Sequence, residues 1–246
     1  MSELPRITPT TLRASQQCAL RFHRLVNGAG RVRGDPRRRF ALPGAITQAC
    51  RDAHQHAQAQ GCSVAGAADH AHPPEDLTPE ERHAFAHAVA TYAAVADARE
   101  GTYHAEDHER FPNQESSTGR FEIMAPVDLV LRHREDRREV RELALREAPE
   151  PLADSSRVVL AALALRAPLT YAHCDLRTGT VVEATLEEPD RRTLGADLQR
   201  RVMGALGVAQ EPIPTPGRWC SGCEVLRTCP AVVHTTAEEL RAGGST

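Results

Sequence analysis

The chain has 246 residues, 41% hydrophobic and 26% charged, with a formal net charge of -3 and only 4% aromatics. That length allows one or two domains with a buried core, while no apolar run reaches the ~18 residues of a bilayer span and no charged-then-apolar leader opens the chain. The expectation is a cytoplasmic protein with no membrane partner. All 30 basic residues are arginine, so no mechanism can draw a lysine from this chain.

Taken in order, Thr8 caps and Pro9 opens a predicted helix running to about Val26. Its core positions are Leu12, Leu20, Phe22 and Leu25, and Cys18 lies on it. Residues 1–40 hold nine arginines against Glu3 and Asp35, and residues 41–130 hold five against fourteen acids. Within the basic stretch, Arg31, Arg33, Arg37, Arg38 and Arg39, interspersed with Gly28, Gly30 and Gly34, read as a basic loop. Such a loop contacts phosphates without reading bases; a solvated surface is the alternative.

A second helix follows Pro43-Gly44 and ends near Gln60, and 61–76 reads as loop. Thr78-Pro79-Glu80-Glu81 is a capping box opening a long helix to about Glu100. The period then changes. Residues 103–111, 121–131 and 139–146 read as strands. An apolar helix follows over 154–166, then a hairpin of 169–175 and 181–186 around Arg177-Thr178-Gly179, then an amphipathic helix over 190–206. The result is a mixed α/β core with a helical N-terminal part.

Seven cysteines without a leader argue against a disulfide framework. Cys220, Cys223 and Cys229 form C-x2-C-x5-C, a spacing suited to zinc or to an iron–sulfur cluster. Either needs a fourth ligand. Cys50, Cys62 and Cys174 read as small apolar residues. Of twelve histidines, eight fall between His54 and His108. The pair His83/His87 shares a helix face but lacks the glutamate of an H-E-x-x-H site. His104/His108 would stand about 13 Å apart on a strand. The set reads as dispersed surface histidines.

The opening Ile7-Thr8-Pro9 to Phe22, with Cys18 inside it, resembles the first helix of iron–sulfur PD-(D/E)XK nucleases, a group that includes RecB- and AddB-type nuclease domains and CRISPR adaptation exonucleases. Ala19 stands where that family usually has proline. The resemblance implies a [4Fe-4S] cluster on Cys18, Cys220, Cys223 and Cys229, with zinc on the same thiolates as the alternative. It implies one domain over 1–246: a helical part (1–100), a PD-(D/E)XK-like α/β core (101–210) and a cluster-binding segment (211–246). Tying positions about 200 residues apart would restrain the unfolded chain by roughly 4–5 kcal/mol on the loop-entropy model used for disulfides.

The resemblance also locates the family's catalytic positions. Asp128 matches the first metal-binding aspartate and Glu142 the acid of E-x-K, which together would hold Mg or Mn. Ala144 occupies the lysine position, with Arg146 two residues on, and arginine replaces lysine poorly. Thr47 stands at the histidine position, and the helix over 154–166 has no glutamine or tyrosine. Losing coupled groups removes most of a rate acceleration. The resemblance thus implies a catalytically silent nuclease fold that binds DNA, as single strands or ends, and supports a helicase or nuclease partner. The alternatives are an active metal-dependent exonuclease on Asp128 and Glu142, and a zinc-stapled interaction module.

Overall fold

A computed structural model describes residues 4–27, 41–97, 102–103, 121–125, 127–132, 138–165, 168–207, 212–223 and 229–231. The chain divides into two compact units, and neither is a single stretch of sequence. One comprises Met1–Gly34, Arg110–Ala125 and Arg192–Thr246; the other comprises Asp35–Glu109 and Pro126–Arg191. These units do not coincide with the three parts, 1–100, 101–210 and 211–246, that the resemblance implies for a single domain. Among the described residues no helix is long and apolar enough to cross a membrane.

The first unit contains β1 (Arg6–Ile7), α1 (Pro9–Gln17) and α2 (Ala19–Val26). Thr8 caps α1 as expected, its hydroxyl accepting from Thr11 N–H at 3.2 Å. The expected single helix to Val26 is corrected: it breaks at Cys18, which is extended (φ -154°, ψ 115°). Cys18 N–H closes α1 on Ala14 O, and Cys18 O accepts from Phe22 N–H to open α2. No glycine or proline marks this break in the sequence.

The second unit is built on helices α3 (Ala41–Gln60), α4 (Val64–Ala68), α5 (Pro79–Asp97) and α6 (Ser156–Leu165). The capping box forms: Thr78 Oγ1 accepts from Glu81 N–H at 3.2 Å, and Glu81 returns a bond to Thr78 N–H at 2.8 Å. The stretch expected as loop contains α4, whose first N–H groups are satisfied by Ser63 and by Asp97 from α5. α7 spans Glu188–Gly207.

The main sheet has the order β2 (Thr102–Tyr103), β4 (Leu129–Arg132), β5 (Arg138–Ala144), β6 (Leu169–Asp175), β7 (Thr180–Leu186). Only β5–β6 is parallel, with α6 in the connection, and β6–β7 is the expected hairpin. The predicted strand over 121–131 is corrected. Its first part is β3 (Glu122–Ile123), which pairs in parallel with β1 in the first unit, while its second part is β4 in the main sheet. Proline at position 126 offers no N–H to carry a ladder through.

Strand alternation sends Glu139, Arg141 and Leu143 of β5 to one face and Val140, Glu142 and Ala144 to the other. The first face meets an apolar layer from α3, α5 and the sheet: Ile46, Cys50, Phe85, Tyr92, Leu129, Leu131 and Cys174. Phe85 and Tyr92 are its aromatics, and aliphatic and thiol side chains fill the rest.

Candidate functional site

In the second unit, the residues at the resembling positions come together. Asp128 precedes β4, and its Oδ2 accepts from Leu143 N–H at 2.9 Å. Thr47 and Arg51, one turn apart on α3, approach the same residue. Thr47 Oγ1 lies 3.4 Å from Asp128 Oδ1, and Arg51 donates to the carbonyls of Asp128 and Val127 at 2.7 and 3.1 Å. Glu142 stands in register with His173 of β6. Ala144 is buried one alternation away.

Glu142 is only 3% exposed and engages four donors. Arg157 Nη1 lies 3.2 Å and Arg146 Nη2 3.3 Å from Oε1. Tyr171 hydroxyl and His173 Nδ1 each lie 3.0 Å from Oε2. A carboxylate offers about four lone-pair sites, and four donors take them. The other ring nitrogen of His173 lies 2.9 Å from Arg146 O. Both His173 nitrogens therefore face acceptors, a carboxylate and a carbonyl, which only an imidazolium can satisfy fully.

These contacts split the two acids. Burial alone would raise Glu142, but the His173 hydrogen bond and the Arg157 charge outweigh it and hold it down to about 2. Asp128 moves the other way: burial raises it more than Arg157 and the Leu143 N–H lower it. Burial would lower His173, yet the Glu142 hydrogen bond raises it. Arg157 Nη1 also lies 3.8 Å from Asp128 Oδ2, so one guanidinium bridges both acids. That is where a divalent ion would have to sit, at about 2.0–2.6 Å from the same oxygens. The residues present do not fit Mg or Mn at this pair unless Arg157 withdraws. Arg157 was missed as a site residue, although a lone charge in the apolar helix Ser156–Leu165 demands a buried partner.

The opposite face of β5 holds a second network. Arg141 is completely buried; its Nε donates to Glu139 at 2.6 Å and its Nη1 to Tyr92 hydroxyl at 3.1 Å. Tyr92 hydroxyl lies 2.6 Å from His54 Nε2. With its oxygen accepting from Arg141, the hydroxyl proton has His54 as its acceptor, which requires a neutral imidazole there. Burial, then the Arg141 charge, lowers His54 to about 4.

In the first unit, none of the four thiols of the expected set is in a disulfide. Cys18 and Cys229 share a buried cluster with Leu20, flanked by Trp219 and Ala231. Cys220 lies in the 3₁₀ turn Arg218–Gly222, and Cys223 closes it, its N–H donating to Cys220 O at 3.1 Å. Cys220 Sγ accepts from Gly217 N–H at 3.4 Å. Trp219 Nε1–H donates to Thr215 O at 3.1 Å, folding the indole over Gly217; a Cβ there would lie 2.6 Å from ring carbons. Four thiols have the donor chemistry of a thiolate-bound centre, but their arrangement here does not form one. Among the described residues, no three His, Cys, Asp or Glu side chains gather closely enough to hold a metal ion.

The basic residues Arg31, Arg33, Arg37, Arg38 and Arg39 lie outside the described residues, as do His104 and His108. His83 and His87 are exposed on α5, and His87 Nε2 lies 3.2 Å from Arg177 O. Cys50 and Cys174 are buried, as expected of small apolar residues, whereas Cys62 is exposed. No protein-family model matches the chain, and no curated protein matches it.

Proposed function

We propose that this chain is a nuclease-like protein of the iron–sulfur PD-(D/E)XK type whose acidic pair is structural, and that it binds DNA, as single strands or ends, and supports a helicase or nuclease partner. The carrying observation is Glu142: Arg146, Arg157, Tyr171 and His173 occupy both of its oxygens. An internal guanidinium supplies the positive charge that a catalytic ion would bring, and neither Ala144 nor Thr47 can replace a lysine or a histidine. Thr47, Asp128, Glu142 and Ala144 gather around one end of β4 and β5, which supports the reading.

Cys18, Cys220, Cys223 and Cys229 would hold a [4Fe-4S] cluster, or zinc in the alternative. Such a centre would supply a covalent staple between the N-terminal helices and the C-terminal turn. Cys18 and Cys229, 211 positions apart, already share one buried cluster, which supports that reading.

The test is a nuclease assay beside a mobility shift. The full chain, purified without oxygen, should shift single-stranded DNA with affinity falling steeply as salt rises, and should cleave none of it with Mg²⁺ or Mn²⁺. Mn²⁺-dependent degradation lost in Asp128→Ala would instead make it an active exonuclease. Zinc in elemental analysis with no DNA shift would make it an interaction module.

A further inference from the structure

We infer that the nucleic acid docks on the unit that carries the thiols and not over the carboxylate pair. This rests on the DNA-binding reading and adds to it where the strand lies. The two units are oppositely charged. Over its three segments the first holds fourteen arginines against eight acids, net +6; the second holds sixteen against twenty-five, net -9. A polyanion is drawn to the first and repelled by the second, within the reach of about 8–10 Å that salt leaves to exposed charges.

Local pairing sharpens the contrast. In the first unit Arg13 on α1 and Arg218 on the 3₁₀ turn are exposed, and no acid pairs with either among the described residues. Arg200 and Arg201 on α7 share a single carboxylate, Asp197, at 3.2 and 2.7 Å, so one positive charge is left over. In the second unit the surplus has the other sign: Arg177 faces both Asp175 and Glu147. Asp69, Glu75, Asp76 and Glu80 are exposed, with no arginine beside them among the described residues.

The basic unit suits phosphates better than lipid. Its cations are guanidinium forks, which bind phosphate oxygens in pairs. Among its described residues only Leu4 and Ile213 are large apolar side chains left exposed, too few to enter a bilayer.

Fluorescence anisotropy with a single-stranded DNA oligonucleotide, read across salt, tests this on the full chain. The combined variant Arg13→Gln, Arg200→Gln, Arg218→Gln should bind on the order of tenfold more weakly or worse. Its plot of log affinity against log salt should be shallower by about 2, at roughly 0.7 per lost phosphate contact. Arg82→Gln, an exposed arginine of α5 in the acidic unit, should change neither quantity. Unchanged melting temperatures should show that all variants fold. An unaltered slope in the triple variant, or an equal loss in Arg82→Gln, would overturn the location while leaving DNA binding intact. No binding by the unaltered protein at low salt, or binding only to phosphatidylserine vesicles, would overturn the DNA reading and the location with it.

Discussion

The two units handle buried polar chemistry in opposite ways. In the sheet unit every acid near β5 is met by the chain's own donors: Glu142 by four side chains, Glu139 by Arg141, Asp128 by Leu143 N–H. In the thiol unit, four cysteines, none in a disulfide, accompany α1, α2, most of α7, one 3₁₀ turn and a two-residue strand pair. One unit meets its buried carboxylates with its own arginines. The other offers soft ligands. A ligand site can thus be absorbed into a fold by one well-placed guanidinium, whereas thiolates have no such substitute within a protein.

The largest expected effect breaks the sheet unit. Glu142→Ala strands Arg157 and a buried imidazolium, and removing one partner of a buried pair costs about 3–5 kcal/mol. Urea denaturation should show that loss. A loss below about 1 kcal/mol would mean that the network is not structural.

Acid should act next, and with two signs in the same unit. His54 is lowered from 6.5 to about 4 when folded, so the unfolded chain takes up its proton first. Stability should fall as pH drops from about 6.5 through 4, by roughly 3 kcal/mol at about 1.4 kcal/mol per pKa unit. Glu142 adds a further loss below its ordinary 4.5, down to about 2. His173 is raised, so its contribution is complete below 6.5 and is lost as pH rises through its folded value. Denaturation measured from pH 4 to 8 in His54→Gln should show the slope between 6.5 and 4 flattened. An unchanged slope would remove His54 from the account.

The smallest effect falls on the thiol unit. Gly217→Ala sets a methyl against Trp219, and overpacking of this kind costs about 1–3 kcal/mol. Trp219 is the only tryptophan, so its fluorescence reports the turn directly. An unmoved emission spectrum would contradict the close packing described.

How far the sequence foretold these features depended on local rules. The Thr78–Glu81 capping box and the β6–β7 hairpin follow from near-neighbour chemistry, and both formed as expected. The break at Cys18 carries no such signal; its extended backbone is held by Ala14 and Phe22 and by packing with Cys229. The division of 121–131 between two sheets had a signal in the proline at position 126, but which sheet each half joins depends on long-range pairing that no local pattern records. Asp128 and Glu142 were named by resemblance, but the groups that neutralise them were not. Arg157 was legible as a stray charge on an apolar helix, whereas the Arg141–Tyr92–His54 chain was not, since β5 bears charges on both faces.

The central claim is that arginine stands in for a metal at the carboxylate pair. Electron paramagnetic resonance of free Mn²⁺, titrated with the protein, tests it most directly. The account predicts no tight site in the unaltered chain that Asp128→Ala or Glu142→Gln removes. One equivalent of Mn²⁺ bound tightly and released by either substitution would contradict it.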